Sequence, residues 1–494
     1  MKFRSLSVCQ NCRDRKIGCD GKRPSCTQCL HFRQVCPGYQ KGAIFVHQAP
    51  RYTSRNTCSP RCLPGNSLPP REISNSTRNL VLNFAKFRWS TAEELLTVAI
   101  DHFTPVPELA LSTLDLNISH SLVCASWLET LPRLINGERY GSLLSETVRT
   151  LGFSILCKGP AKQEWNYQRL QSYCSAIYQL RSRPFLSDDN SREQTVAAIM
   201  SLTLAELMIP TSERGWIVHV RAVGELMRNL GPELFIISTA HRLFVGFRPL
   251  ILIEAILSRK PTFLELHEWQ NVPFQQHFPS PMQRLLSCAA VLPSLLQKAD
   301  FIKRIPSQDC FAATREVVLA LTEVLEALQQ WEQSYKSSSR GPLYWPKPIR
   351  DADPCDANTF RPPFWFPNAT TATALIHFWA FQVICLTQIE QLEVLYKIPR
   401  GCTGLDNCPT IQILEGPIDF SVKICQSMGY FLEDQMKIYG PAAAIFPFQI
   451  AYETLFLYLR QCTEQTKMCE HIIFRFSQKG FDVKPPALKV RSTI

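Results

Sequence analysis

Between residues 313 and 335 apolar side chains return every three to four positions, and Val317, Leu321, Val324, Leu325, Leu328 and Tyr335 fall on one face. That spacing predicts an amphipathic α-helix. Trp216, Val220, Val223, Met227 and Leu230 repeat it and stop at Gly231-Pro232, a glycine suited to a helix end followed by a residue that cannot continue one. Comparable segments run from Thr91 to Phe103, Gln194 to Met208, His241 to Arg259, Met282 to Gln297, Ala372 to Leu395 and Ala442 to Arg460. Strict apolar-polar alternation between hairpin turns is not evident. The pattern predicts an all-α body, of about ten or more helices, over residues 91–480.

The longest uncharged stretch, Pro362 to Ile389, has the length of a membrane span but contains Thr370, Thr371, Thr373, His377, Gln382 and Gln388. A buried core helix fits it better, and no membrane partner is expected. Upstream of the body the pattern is lost. From Pro37 to Pro70 six residues are proline, with Gly, Ser, Asn and Arg filling much of the rest. Such a stretch buries too little apolar surface to offset its ordering entropy, so residues 42–90 are expected to be a Pro/Ser/Arg-rich linker.

At 494 residues the chain exceeds one ordinary domain. Its net charge of +11 is placed unevenly: residues 1–78 hold 14 Lys and Arg against Asp14, Asp20 and Glu72, and the remainder is neutral. A basic arm on a neutral body points to a polyanion partner, double-stranded DNA first. The N-terminus has no apolar run of signal-peptide length, so the cysteines are expected in a reducing compartment.

Six of those cysteines are ordered. Cys9, Cys12, Cys19, Cys26, Cys29 and Cys36 read C-x2-C-x6-C-x6-C-x2-C-x6-C, so one half repeats the other with a period of 17. Zinc takes four tetrahedral thiolates; two zincs need eight ligand places, and six thiolates fill them only if two bridge. The repeat assigns the bridges to the first Cys of each half, Cys9 and Cys26. With so few residues to form a core, residues 1–41 would draw most of their folding free energy from two Zn(2+).

This array, with Cys12-Arg13, Arg15-Lys16, Cys19-Asp20 and Arg23-Pro24-Ser25-Cys26, resembles the fungal Zn(2)-Cys(6) binuclear-cluster DNA-binding domain. The resemblance implies a short helix entering the major groove, with Lys16 reading a CGG-type triplet. Arg13, Arg15, Lys22 and Arg23 are placed to reach phosphates. Gly18 departs from the family, which usually has a basic residue there. Trp216 to Leu226, Gly231-Pro232, Leu243 to Arg248, Arg259-Lys260 and Glu268-Trp269 resemble the fungal-specific transcription factor domain, loosely over 91–475.

The fold class expected is therefore mostly α: a two-zinc cysteine cluster domain (cluster 9–36) and a large all-α regulatory domain. The resemblance implies a nuclear transcription regulator, commonly one that controls a single metabolic gene cluster. A zinc-stabilised protein-interaction module is the alternative. P-loop, zinc-protease and nucleophile-elbow motifs are missing, so an enzyme is not expected. Glu206 and Glu254, on apolar helices, are expected to pair with arginines or face solvent, and His219 to be a core or surface histidine. A homodimer would have to form through the helical body, because residues 42–90 contain no sustained heptad. A small-molecule effector would sit among the helices, with Thr370 to Ile389 as a wall.

Overall fold

The computed structural model describes residues 9, 11, 12, 15, 17, 19, 20, 22, 25–32, 34 and 36 of the N-terminal segment, and 91–106, 124–135, 142–158, 162–182, 189–304, 310–347, 362–396, 415–458 and 463–483 of the body. The expected linker lies outside the described residues. The chain divides into two compact units, Met1–Arg78 and Asn79–Ile494.

The first unit contains α1 (Thr27–His31). The second runs through α2 (Ala92–Phe103), a 3-10 segment Cys124–Thr130, α3 (Leu131–Ile135), α4 (Leu143–Leu156), α5 (Lys162–Ser182), α6 (Asp189–Met208), α7 (Gly215–Leu230) and α8 (Ser238–Ser258). It continues through α9 (His267–Asn271), α10 (Pro281–Ala289), α11 (Leu292–Arg304), α12 (Cys310–Ser338), α13 (Ala369–Tyr396), α14 (Pro417–Phe431), α15 (Tyr439–Tyr458) and α16 (Thr463–Gln478). Helix packs on helix throughout, most extensively α4 on α5 and α6, α6 on α7, and α14 on α13 and α15. A two-residue antiparallel pair, β1 (Trp345–Pro346) and β2 (Phe364–Trp365), joins Trp345 to Trp365 and Pro346 to Phe364. Strands this short are too brief for a period of two to be legible.

Local chemistry sets the helix ends. Thr91 accepts from the Glu94 N–H while the Glu94 carboxylate accepts from the Thr91 N–H, a reciprocal cap at 3.2 and 2.9 Å that starts α2. Ser280 caps α10, with Pro281 in its first turn. Gly231, at φ +83°, closes α7 in a conformation costly for any residue with a Cβ. The expected single helix from Met282 to Gln297 is two, α10 and α11. Pro293 has no N–H to offer the carbonyl of Ala289, and α10 ends there.

α13 is the spine of the core. Phe378, Trp379, Ala380 and Phe381 are buried among α12, α14 and α15, and several of its buried polar side chains are bonded. Thr371 meets the Tyr335 hydroxyl at 2.8 Å, Thr373 meets Tyr439 at 3.0 Å, and Gln388 accepts from Arg259 at 3.1 Å, whereas the buried Thr387 hydroxyl has no partner among the described residues. Pro281–Arg304 and Ala369–Leu395 are long and apolar enough to cross a membrane, yet 89% of the apolar window in the second is buried inside the body. Gly440 lets α15 approach α14: a Cβ there would lie 2.1 Å from the Phe431 carbonyl oxygen.

Pro249 and Pro447 interrupt helical ladders. Pro249 leaves the Val245 carbonyl without its helical donor, and the Gln283 amide supplies one at 2.8 Å. The neighbouring Arg248 is fully buried, donating to the Gln283 carbonyl and Ser287 hydroxyl at 2.9 Å, and burial lowers it to about 10.

Candidate metal centre and nucleic-acid interface

The 17-residue repeat is written into the backbone of the first unit. Arg15 N–H donates to the Asn11 carbonyl at 3.1 Å, and Phe32, 17 residues on, donates to Gln28 at 3.1 Å. Ile17 donates to Cys12 at 3.0 Å, and Gln34 to Cys29 at 2.9 Å. Each C-x2-C pair thus opens a short helical turn that brings its two sulfurs to the same end. Cys26 also accepts the Cys29 N–H at its Sγ, 3.3 Å away, capping α1.

These turns gather six thiols into two groups of four. One holds Cys9, Cys12, Cys19 and Cys26; the other holds Cys9, Cys26, Cys29 and Cys36; in each the sulfurs lie within 4.8 Å of one another. Cys9 and Cys26 belong to both. Their sulfurs are 3.6 Å apart, with Cys9 to Cys29 and Cys12 to Cys26 at 3.7 Å. A disulfide would need about 2 Å. A tetrahedron built on Zn–S bonds of about 2.3 Å has edges of roughly 3.8 Å, so the spacing fits four-coordinate zinc. Burial first, and neighbouring thiols second, push Cys29 up to about 12 and raise Cys12, while Cys9 is raised by burial against hydrogen bonds from Cys12 that lower it. Six thiolates at this spacing require positive charge among them.

Two contacts that the spacing did not reveal link the halves. Asp20 accepts the backbone N–H of Thr27 at 3.1 Å and the Thr27 hydroxyl, which lowers the Asp20 pKa and ties the third cysteine's segment to the start of α1. Arg15 lies over the Phe32 ring, 4.3 Å from its centroid, and donates to the Gln34 side chain at 3.3 Å. Phe32 is the repeat-mate of Arg15, so the period of 17 carried the signal for this pairing.

Arg15 and Lys22 are exposed, and Lys22 stands 4.0 Å from Asp20. Arg13, Lys16 and Arg23 lie outside the described residues. In the body, Glu254 pairs with Arg221 at 2.7 Å, as expected of it. Glu206 does not pair with an arginine: buried, it accepts from the Thr211 N–H at 2.9 Å and from the Thr211 hydroxyl, because the chain turns back on the end of α6. His219 is a buried core histidine, 3.1 Å from the Tyr173 hydroxyl.

Residues 7–42 match the fungal Zn(2)-Cys(6) binuclear cluster domain. A domain of this kind binds two zinc ions, and the six cysteines it requires are those gathered here. No curated protein and no solved structure matches the chain.

Proposed function

Since residues 7–42 are a fungal Zn(2)-Cys(6) domain, the DNA-binding unit of a transcription-regulator family, we propose that this protein is a sequence-specific regulator of RNA polymerase II promoters that acts in the nucleus. Cys9, Cys12, Cys19 and Cys26 hold one zinc, and Cys9, Cys26, Cys29 and Cys36 hold the other. The overlap of two four-thiol groups at Cys9 and Cys26 carries this reading. The metals fix the turn after Cys12 and with it the basic residues that follow.

Six thiolates and two zincs carry a formal charge of −2, so the attraction to DNA comes from side chains. Lys16 reads a CGG-type triplet, offering donors to guanine O6 and N7, while Arg13, Arg15, Lys22 and Arg23 bind phosphates. The second unit, helical throughout its core, is the regulatory domain, of the fungal-specific transcription factor type, and supplies any homodimer contact. Control of one metabolic gene cluster, of the secondary-metabolite kind, is the setting in which such a regulator works.

Site selection from random DNA by the full-length zinc-loaded protein tests this reading. The expected product is a CGG-type triplet, and Lys16→Ala should lose about 1–3 kcal/mol of discrimination for it. Equal losses on selected and random DNA would move the role of this unit to protein interaction.

A further inference from the structure

A cavity of about 160 Å³ lies in the body where the earlier helices, α6 to α8, meet α13 and α15. Among the described residues no Asp, Glu, Lys or Arg lines it. Its walls are apolar, from Trp127 and Leu204 on one side to Phe446 on the other, and Leu257, 47% exposed, stands at its rim. An apolar cavity near 150 Å³ is large enough for one benzene-sized molecule, and its uncharged lining excludes an ionic ligand.

The polar equipment of this cavity is specific. His377 is 3% exposed, and its Nδ1 lies 2.8 Å from the Thr373 carbonyl, an acceptor, so Nδ1 carries the proton. Nε2 is then an acceptor, and it has no hydrogen-bond partner among the described residues. Burial drives His377 down to about 4, which keeps the ring neutral at physiological pH. Ala443 of α15 lines the cavity on the side opposite α6 to α8. Trp216 and Gln449, which also line the cavity, carry N–H groups, but among the described residues no contact joins either to His377 Nε2, so that acceptor suits a ligand that brings a donor.

We propose that this cavity binds a small uncharged ring compound of the phenol or indole class, with its hydroxyl or N–H donating to His377 Nε2. The ligand touches helices from both the earlier and later parts of the body, so its binding stabilises their packing. This site stands on the cavity alone and does not depend on the DNA-binding reading.

Calorimetric titration of the full-length zinc-loaded protein with phenol and with toluene tests it, since the two differ by the donor. Phenol is expected to saturate one site per chain. His377→Phe should weaken phenol by about tenfold or more while changing toluene less than about threefold, the loss belonging to one buried hydrogen bond. Ala443→Leu, which fills the cavity from the α15 side, should weaken both. Equal phenol affinity in the wild type and His377→Phe overturns the proposal, as does failure of both compounds to bind the wild type. If His377→Phe does not fold, unchanged phenol affinity in Ala443→Leu overturns it independently.

Discussion

The two units bury different atoms. Among the described residues of the first, the buried side chains are the thiols of Cys9, Cys12, Cys26 and Cys29, while Leu30 and Phe32 are exposed at 63% and 47%. In the second, Trp127, Trp269, Trp379 and a run of phenylalanines are fully buried in one continuous apolar cluster. A few dozen residues cannot close a hydrophobic core, and there metal–thiolate bonds replace it. Several hundred residues can, and there stability is spread over many contacts. One unit is therefore switched by a metal, the other only by changes that reach its interior.

The largest expected effect is on the metal. Chelating zinc should release two equivalents per chain and abolish DNA binding, because metal binding supplies on the order of 10–16 kcal/mol in small zinc domains. Far-ultraviolet circular dichroism should barely change, since the body holds nearly all the helix. Cys26→Ala should impair both zinc sites, and Cys12→Ala one before the other. Loss of the body's cooperative melting on chelation would break the contrast between the units.

How far each unit was legible in the sequence follows from the same difference. Thiols at fixed spacing fix geometry through bond lengths, so the period of 17 anticipated the sharing of Cys9 and Cys26, whereas the paired backbone bonds of Arg15 and Phe32 were not read from it. Helices with one wet face, such as α7 and α12, were equally plain. α4 was not: Leu143, Leu144, Val148, Leu151 and Ile155 are buried, but so are Thr147, Thr150 and Ser154 between them, and a helix covered on most sides has no polar stripe to set a period. The proline break between α10 and α11 was also missed, because apolar spacing continues across it. Glu206 was misassigned because its partner, Thr211, lies in the turn after α6, which helical spacing does not locate.

A smaller effect, confined to the body, comes from His377. Its folded-state pKa of about 4 lies below the ordinary value of 6.5, so above pH 6.5 the ring is neutral in both states and costs nothing. As pH falls from 6.5 the unfolded chain takes up a proton that the folded chain refuses, and stability declines until about pH 4. The full difference is about 3 kcal/mol. His219 and His241, also lowered by burial, add loss of the same sign. Urea midpoints of the body should therefore drop between pH 7 and pH 5, and His377→Phe should flatten part of that slope. An unchanged slope would remove His377 from the account.

The smallest expected effect sharpens the contrast inside the first unit, where Arg15 supplies a contact that is not metal. Its guanidinium stacks on Phe32 and bonds to Gln34, yet the pair is exposed, and an exposed cation–π contact contributes about 0.5–1 kcal/mol. Arg15→Ala should keep two zincs and speed their release to a chelator by about two- to fivefold. The same change removes one charge from the surface assigned to phosphates. It should weaken DNA binding on all sequences alike and reduce the salt slope by about 0.9, leaving triplet preference intact. A loss of one zinc would mean that Arg15 helps to shape the metal cluster itself. In that outcome the halves are held together by side-chain packing as well as by Cys9 and Cys26, and the division between a metal-held unit and a core-held unit is less sharp.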